Sequence, residues 1–366
     1  MTRPLREGFT TGTAAAAAAK AATLLLLTGA ASPRTDVPLP AGGRLEIPIA
    51  TCVRQGSGAR ATVIKDGGDD PDATHGAAIE CFVRLDPSGP HGAVAIAGGR
   101  GVGLVTRPGL PVPPGEPAIN PAPRRQIEAA VREALDTAGF RGSASMLVEV
   151  PDGEALARRT LNPRLGIVGG ISILGTRGTV RPYSHEAWAA TVSQALDVAR
   201  AAGLAEICLS TGGRSERLLM ALRPDLPEVA FIQAADHFSH ALAEAGRKGF
   251  RRATWGVFFG KLVKQAQGIG QTHARHARAD MRALAGMCAE LGASAGNVDA
   301  VAQANTALHA LAILEPDPAL PAILAELCRR AAEWAREFSG VDIEVRHVLF
   351  TLDGRLLARF PNTRDA

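Results

Sequence analysis

Aromatic residues are scarce in this chain: they make up 4% of 366 residues and include a single tyrosine. Forty Lys and Arg against thirty-six Asp and Glu leave a net charge of only +4, and the basic residues are spread along the whole length. A basic stripe interleaved with stacking aromatics is therefore missing, which argues against nucleic acid as a partner. No Cys-x-x-Cys occurs, and Cys52, Cys81, Cys208, Cys288 and Cys328 are odd in number and far apart. That argues against a disulfide framework and a zinc ribbon and fits a reducing cytoplasm. Internal repeats and low-complexity linkers are lacking too.

What is there is length and apolar content. With 46% hydrophobic residues over 366 positions, the chain can fill two cores, because single cores stop growing near roughly 250 to 300 residues. Near the start, Arg3 and Arg6 precede an Ala/Leu run from Ala14 to Leu27, followed by Gly29-Ala30-Ala31-Ser32. This imitates a secretory leader. Lys20 and Thr23 interrupt the run, the polar Phe9–Thr13 turn is misplaced for a leader, and the stretch is shorter than the roughly 20 residues of a membrane span. A buried helix is the better expectation, with no membrane partner.

Residues 1–155 mix an Ala-rich helix, strand-like runs at 45–49, 61–64, 93–97 and 145–150, and a helix from about Arg125 to Thr137 behind Pro121 and Pro123. Without regular alternation, this half reads as α+β. Residues 156–366 read as a Rossmann-like three-layer α/β/α domain with extra helices and a C-terminal β-hairpin. Four strand, glycine-turn, helix units support it: Leu165–Leu174 with the helix from about Ser184 to Ala202, then Glu206–Leu209, Val229–Ile232 and Ala253–Phe259, each with its following helix. The tail predicts helices from Ala274 to Glu337 and a hairpin of Val341–Thr351 and Arg355–Phe360 about Asp353-Gly354.

Gly8-Phe9-Thr10-Thr11-Gly12-Thr13 runs straight into six alanines. Such a turn either gathers the N–H groups of a first helical turn around a polar ligand or simply caps the helix. Lys65–Gly76 holds Asp66, Asp69, Asp70 and Asp72 with Thr74 and His75. A calcium loop starting at Asp66 fails, since Pro71 and Ala77 stand where Gly and Glu are needed. Crowded carboxylates beside a histidine suit proton transfer, so Asp70 and His75 are the catalytic candidates, against a plain solvated turn. Gly212-Gly213-Arg214 after an apolar strand, with Glu216 in reach of a ribose, admits both a nucleotide turn and an ordinary strand-to-helix turn. So do Gly166, Gly169, Gly170 and Gly175. Gly256-x-x-x-Gly260-Lys261 is no phosphate loop, having Leu262 where Ser or Thr should hold magnesium. His273, His276 and His309 are too few for a metal site, and none is expected.

These strings, together with Gly115–Pro121, Asn162–Ile167, Gly169–Thr176 and Ser210–Glu216, resemble the cobalt-precorrin-5B C(1)-methyltransferase family of the anaerobic cobalamin pathway, from about residue 5 to about residue 275. The resemblance implies methyl transfer from S-adenosylmethionine to C-1 of a cobalt corrinoid precursor, giving cobalt-precorrin-6A. The methyl donor is expected at the sheet's glycine turns (Gly169, Gly170, Gly175, Thr176, Thr211, Gly212, Gly213, Glu216, Asp236). The tetrapyrrole is then expected at a domain crevice lined by Thr10, Thr11, Gly12, Thr13, Asp69 and Asp72. Arg124, Arg177 and Arg214 are assigned to its carboxylate arms, within a set that also holds Arg125, Arg164, Arg181 and Arg217 beside glycine turns, because guanidinium forks grip carboxylates.

Departures from the pattern limit the transfer. Ala14 stands where the family commonly has Cys, so no catalytic thiol is expected there; His237, Ser239 and His240 follow Asp236, and Val257-Phe258-Phe259 is atypical, whereas Thr272-His273 matches. The last ninety residues match too loosely to assign roles. A non-catalytic tetrapyrrole carrier and a nucleotide-dependent oxidoreductase acting on a corrinoid precursor are the two other classes, and homo-oligomer formation stays open.

Overall fold

The computed structural model describes residues 4–274 and 277–361. Arg3 and His276, weighed above, lie outside them. The protein is a mixed α/β structure that divides into two compact units, Met1–Ser184 and His185–Ala366.

In the first unit, a five-stranded sheet runs in the order Thr51–Gln55, Gly58–Ile64, Ala78–Asp86, Ser143–Glu149, Val94–Gly98. Its neighbours are antiparallel except for the last pair, which is parallel. The helix Thr11–Thr28 begins at the N-cap Thr10, whose side chain accepts from the Thr13 amide, and ends at Gly29 in the left-handed region. It packs on the strands Gly58–Ile64 and Ala78–Asp86 and on the helix Pro121–Thr137. Ala14 to Ala19 are completely buried. Methyl-sized side chains all round let both neighbours come close to the helix backbone, and the uninterrupted alanine run produces that. Among the described residues this is the helix apolar enough to cross a membrane, yet 72% of it is buried within the protein. The expected buried helix is what forms.

The second unit contains a sheet ordered Phe231–Gln233, Glu206–Ser210, Arg252–Phe258, Glu344–Phe350, Leu356–Phe360. The first four strands are parallel and the last pairs antiparallel. Alternation along the strands divides their side chains between two cores. Ile207, Leu209, Trp255, Val257 and Leu349 join a large cluster with residues of the helices His185–Ala201, Phe238–Arg247, Phe259–Ala266 and Leu320–Ser339. Cys208, Phe231, Val348 and Phe350 meet Leu219 of the helix Gly213–Leu222 in a smaller one.

Two expectations need correction. Leu165–Leu174 is not the first strand of the parallel sheet. Its residues split into short pairings inside the first unit, Ile167–Val168 with Leu104–Val105 and Gly170–Ile171 with Gly101–Val102. The reason is local: Gly169 is in the left-handed region, and Gly170 lies so close to the Gly101 carbonyl that a Cβ would meet it at 2.1 Å. An apolar run broken by such glycines cannot extend as one central strand. The fourth parallel strand is instead Glu344–Phe350, which the sequence suggested only as half of a hairpin. The hairpin with Leu356–Phe360 is present as well.

His347 on that strand is fully buried, and no hydrogen-bond partner for either ring nitrogen occurs among the described residues. Burial, with Arg336 nearby, pushes its pKa down to about 3. The folded protein thus holds this ring neutral, while the unfolded chain protonates it near pH 6.5. Its stability contribution is intact above that pH and falls by up to ~1.4 kcal/mol per pH unit below it. Urea titrations at pH 7 and pH 5 are expected to show the wild type losing about 2 kcal/mol more than His347→Met; equal losses would contradict the assignment.

Candidate functional site

The Gly8–Thr13 turn proves to be a buried junction. Thr10, Thr11 and Thr13 are 6%, 2% and 0% exposed. Thr13 Oγ1 donates to the Gly178 carbonyl at 2.7 Å, Thr11 Oγ1 donates to the Leu174 carbonyl at 3.2 Å and accepts from the Leu174 amide at 2.9 Å, and the Thr10 and Gly12 amides donate to Gly178 and Leu174. Gly12 packs on Pro123 and Gly175 on Thr10, each too close for a Cβ. The Thr10, Gly12 and Thr13 amides, which could have held a ligand, donate to the chain itself. Thr10, Thr11, Gly12 and Thr13 thus clamp segments of the first unit together. Gly170 and Gly175 likewise serve close backbone packing and belong, with Gly169 and exposed Thr176, to the first unit.

The acidic loop folds over the same junction. Arg6 pairs with Asp66, whose carboxyl is held below its usual range first by that guanidinium hydrogen bond. Asp69 accepts from the Arg6 amide at 2.7 Å. Asp72 contacts the buried Lys65 ammonium at 2.5 Å and takes two bonds from Thr74. Burial raises its pKa, but Lys65 and Thr74 outweigh this and hold it below the ordinary value. Asp72 is thus the counter-ion of the buried Lys65. His75 is 55% exposed, with Nδ1 accepting from the Gly67 amide at 3.0 Å. That bond puts the neutral ring's proton on Nε2, so its outer face donates and does not accept.

Asp70 Oδ1 accepts the Tyr183 amide at 2.8 Å. Tyr183 has φ 57° and is 67% exposed. A left-handed aromatic residue costs on the order of 1 to 3 kcal/mol, and Asp70 is the side chain that holds it there. Arg124 is partly buried and donates to the Ile96 carbonyl at 3.4 Å; Arg177 and Arg214 are exposed.

In the second unit the sheet order creates a switch point. From Glu206–Ser210 the chain leaves through Gly213–Leu222 to the strand on one side, then returns through Phe238–Arg247 to Arg252–Phe258 on the other. Ligands of open α/β sheets lie beyond the carboxyl ends of strands diverging in this way. Thr211, Gly212 and Gly213 occupy that position. Gly212 has φ 155° with open space around it, and a Cβ on Gly213 would find its nearest neighbours, Gln233 and Arg217, 3.7 and 3.8 Å away. Ser215 closes the turn, its hydroxyl accepting from the Thr211 amide at 3.1 Å and donating to the Gly212 carbonyl at 3.0 Å. Beneath it Glu216, buried, accepts from Gln233 at 2.7 Å.

Asp236 is drawn into a different group. Lys261 pairs with it, Thr272 donates to it at 2.9 Å, and Lys261 and Lys264 both donate to the Thr272 carbonyl. Burial, then Lys264, brings Lys261 down to about 8. Around this clasp stand histidines that looked scattered in sequence. The His185 ring centroid is 5.6 Å from that of His237 and 6.3 Å from that of His273, and His237 is 6.3 Å from His240. Sequence spacing could not reveal the group, because its members come from three separate stretches. Burial and the flanking rings of His185 and His240 lower the His237 pKa. No group of three potential metal ligands occurs among the described residues.

The architecture defines a two-unit α/β protein with a glycine turn at the switch point of a parallel sheet. Residues 1–182 match the family model described as CbiD, and residues 271–361 the model described as CbiD, C-terminal domain. The chain is 55% identical to the cobalt-precorrin-5B C(1)-methyltransferase of Nitratidesulfovibrio vulgaris over 96% of its length and 91% of that protein's. The proteins of the same name from Geobacillus sp. WCH70 and Agrobacterium fabrum are 44% and 43% identical, across 98% and 99% of this chain and 97% and 94% of theirs. A crystal structure of the cobalamin biosynthesis protein (cbiD) from Archaeoglobus fulgidus superposes with a TM-score of 0.40 at 30% identity, over 71% of this chain and 79% of that one. The chain belongs to the CbiD family.

Removing the Asp72 carboxylate leaves the Lys65 ammonium buried without its counter-ion. Asp72→Ala is expected to cost roughly 3 kcal/mol in chemical denaturation, with Lys65→Met in the same chain restoring most of it. Because the carboxyl pKa is depressed, the wild-type contribution is full above about pH 4 and disappears as pH drops through the folded value. A variant as stable as wild type would refute the counter-ion role.

Proposed function

We propose that this protein transfers a methyl group from S-adenosylmethionine to C-1 of cobalt-precorrin-5B in cobalamin biosynthesis, in the cytoplasm. The near full-length identity to proteins of that name carries the reading. The second unit is read as a Rossmann-like three-layer domain, and its free cysteines agree with a reducing compartment.

Thr211, Gly212, Gly213 and the Glu216–Gln233 pair are the residues we assign to the methyl donor. The room around Gly212 and Gly213 fits a ligand lying against the backbone, and the first-turn amides of Gly213–Leu222 lie at the positive end of a helix. Glu216, buried and held by Gln233, braces from beneath the backbone against which the ligand's ribose would lie. When bound, the donor supplies an activated sulfonium methyl. The chain's residues then have only to orient the two reactants and exclude water, which on general grounds supplies most of the acceleration such a transfer needs. Buried thiols add nothing: burial pushes the Cys81 and Cys208 pKa values up to about 12, far from a nucleophilic thiolate. An acid–base contribution at the Asp-rich loop narrows to His75 as a donor through Nε2.

Gly213→Val separates binding from folding, because the added Cβ meets only the ordinary contacts of Gln233 and Arg217 at 3.7 and 3.8 Å yet covers the backbone. Calorimetry with S-adenosylhomocysteine is expected to show saturable binding to the wild type and at least a ~10-fold weaker affinity for the variant, at a similar thermal midpoint. Unaltered affinity would move the donor elsewhere. Absence of binding to the wild type, even with a corrinoid present, would overturn the methyltransferase reading.

A further inference from the structure

We propose that Tyr183 is a stacking platform for the flat conjugated ring of the corrinoid substrate, and that Asp70 is the residue positioning it. The inference rests on the methyltransferase reading above. Three observations converge on it. Tyr183 is the chain's single tyrosine, and the residue stays 67% exposed although aromatic residues are otherwise rare and mostly packed. Its backbone occupies the left-handed region at φ 57°, where a bulky side chain does not rest without support. The support is specific: Asp70 Oδ1 accepts the Tyr183 amide at 2.8 Å, and the Asp70 amide in turn donates to the Gly67 carbonyl at 3.3 Å.

The base beneath the ring is stiff and charged. Thr179–Val180 pairs with Gly8–Phe9, the Phe9 amide donates to the Asp66 carbonyl, and Arg6 is laced to Asp66 and Asp69. Arg181 pairs with Glu7 at 3.2 Å while remaining half exposed, as does Arg6. An uncovered residue on a rigid mount, with the half-exposed Arg181 two positions before it, matches a ligand that is apolar and planar at its centre and carries carboxylates at its rim. A flat ring offers the phenol a face, and a peripheral carboxylate can compete with the exposed Glu7 for the Arg181 guanidinium. A structural tyrosine would be expected to bury its ring instead.

This assigns Asp70 a role through Tyr183 rather than in proton transfer, and the two roles separate on substitution. Asp70→Asn keeps an acceptor oxygen but cannot act as a base. Tyr183→Ala and Asp70→Ala are each expected to raise KM for the corrinoid about 10-fold with kcat little changed, whereas Tyr183→Phe and Asp70→Asn restore KM. A 10-fold or greater fall in kcat for Asp70→Asn with KM at the wild-type value would overturn the positioning role.

A second measurement does not depend on turnover. Full-length protein grown with 3-fluorotyrosine carries one fluorine-bearing residue, so its 19F spectrum reports Tyr183 alone. Cobyrinic acid, a stable cobalt corrinoid polycarboxylate, is expected to shift or broaden that resonance, and S-adenosylhomocysteine by itself is not. If calorimetry shows cobyrinic acid bound to the wild type while the resonance stays put and Tyr183→Ala binds equally well, the stacking inference fails and the methyltransferase reading stands. If the wild type neither binds a corrinoid nor transfers a methyl group, the underlying reading fails and takes this inference with it.

Discussion

The first unit depends on three buried threonine hydroxyls. Thr10 caps the alanine helix, Thr11 bridges to Leu174 in both directions, and Thr13 reaches Gly178, so the helix start, the 172–180 segment and the acidic loop share one hydrogen-bonded junction. Each hydroxyl is out of water, where an unmade bond costs about 1 to 3 kcal/mol. The surrounding glycines follow from it. Gly8, Gly12, Gly68 and Gly175 stand where a Cβ would collide with backbone or with a side chain of the junction, so the sequence is glycine-rich here because segments must touch. The acidic loop obeys the same logic: Asp66 and Asp72 neutralise Arg6 and Lys65, and Asp70 fixes the backbone of Tyr183.

The second unit uses its glycines for the opposite purpose. Gly212 faces open space and Gly213 meets only ordinary contacts at the carboxyl end of a central strand, on a turn closed from behind by Ser215 and braced by Glu216 and Gln233. Glycine next to packed atoms reports a structural need, whereas glycine next to a void in an otherwise braced turn leaves backbone open to a ligand. That contrast, more than the motif itself, decides which of the glycine strings suits a methyl donor. The Asp236–Lys261–Thr272 clasp keeps the neighbouring turn in place and gathers the histidines around it.

Periodicity made the larger elements legible: the alanine helix, the helix behind Pro121, the three later strand-turn-helix units and the hairpin all form. Leu165–Leu174 misled because its apolar content resembles a core strand, while its pairing is set by Gly169 and Gly170 against Gly101, a contact between residues nearly seventy positions apart. Glu344–Phe350 was recognisable as a strand but not as a member of the parallel sheet, since its neighbour Arg252–Phe258 is ninety residues away. Site chemistry was harder to read. The Thr-rich turn carries the residues of an anion site, yet burial, invisible in composition, commits its donors to the chain. The histidine group and the Asp70–Tyr183 bond are long-range, and local spacing holds no trace of either.

The central claim is that the open turn 211–216, and not the packed glycine segment 169–176, receives the methyl donor. A crystal structure of the full chain with S-adenosylhomocysteine tests it directly. The account predicts the ligand's adenosine against Gly212 and Gly213 with the ribose near Glu216. Density for the ligand at Gly169–Thr176, with the 211–216 turn untouched, would contradict it.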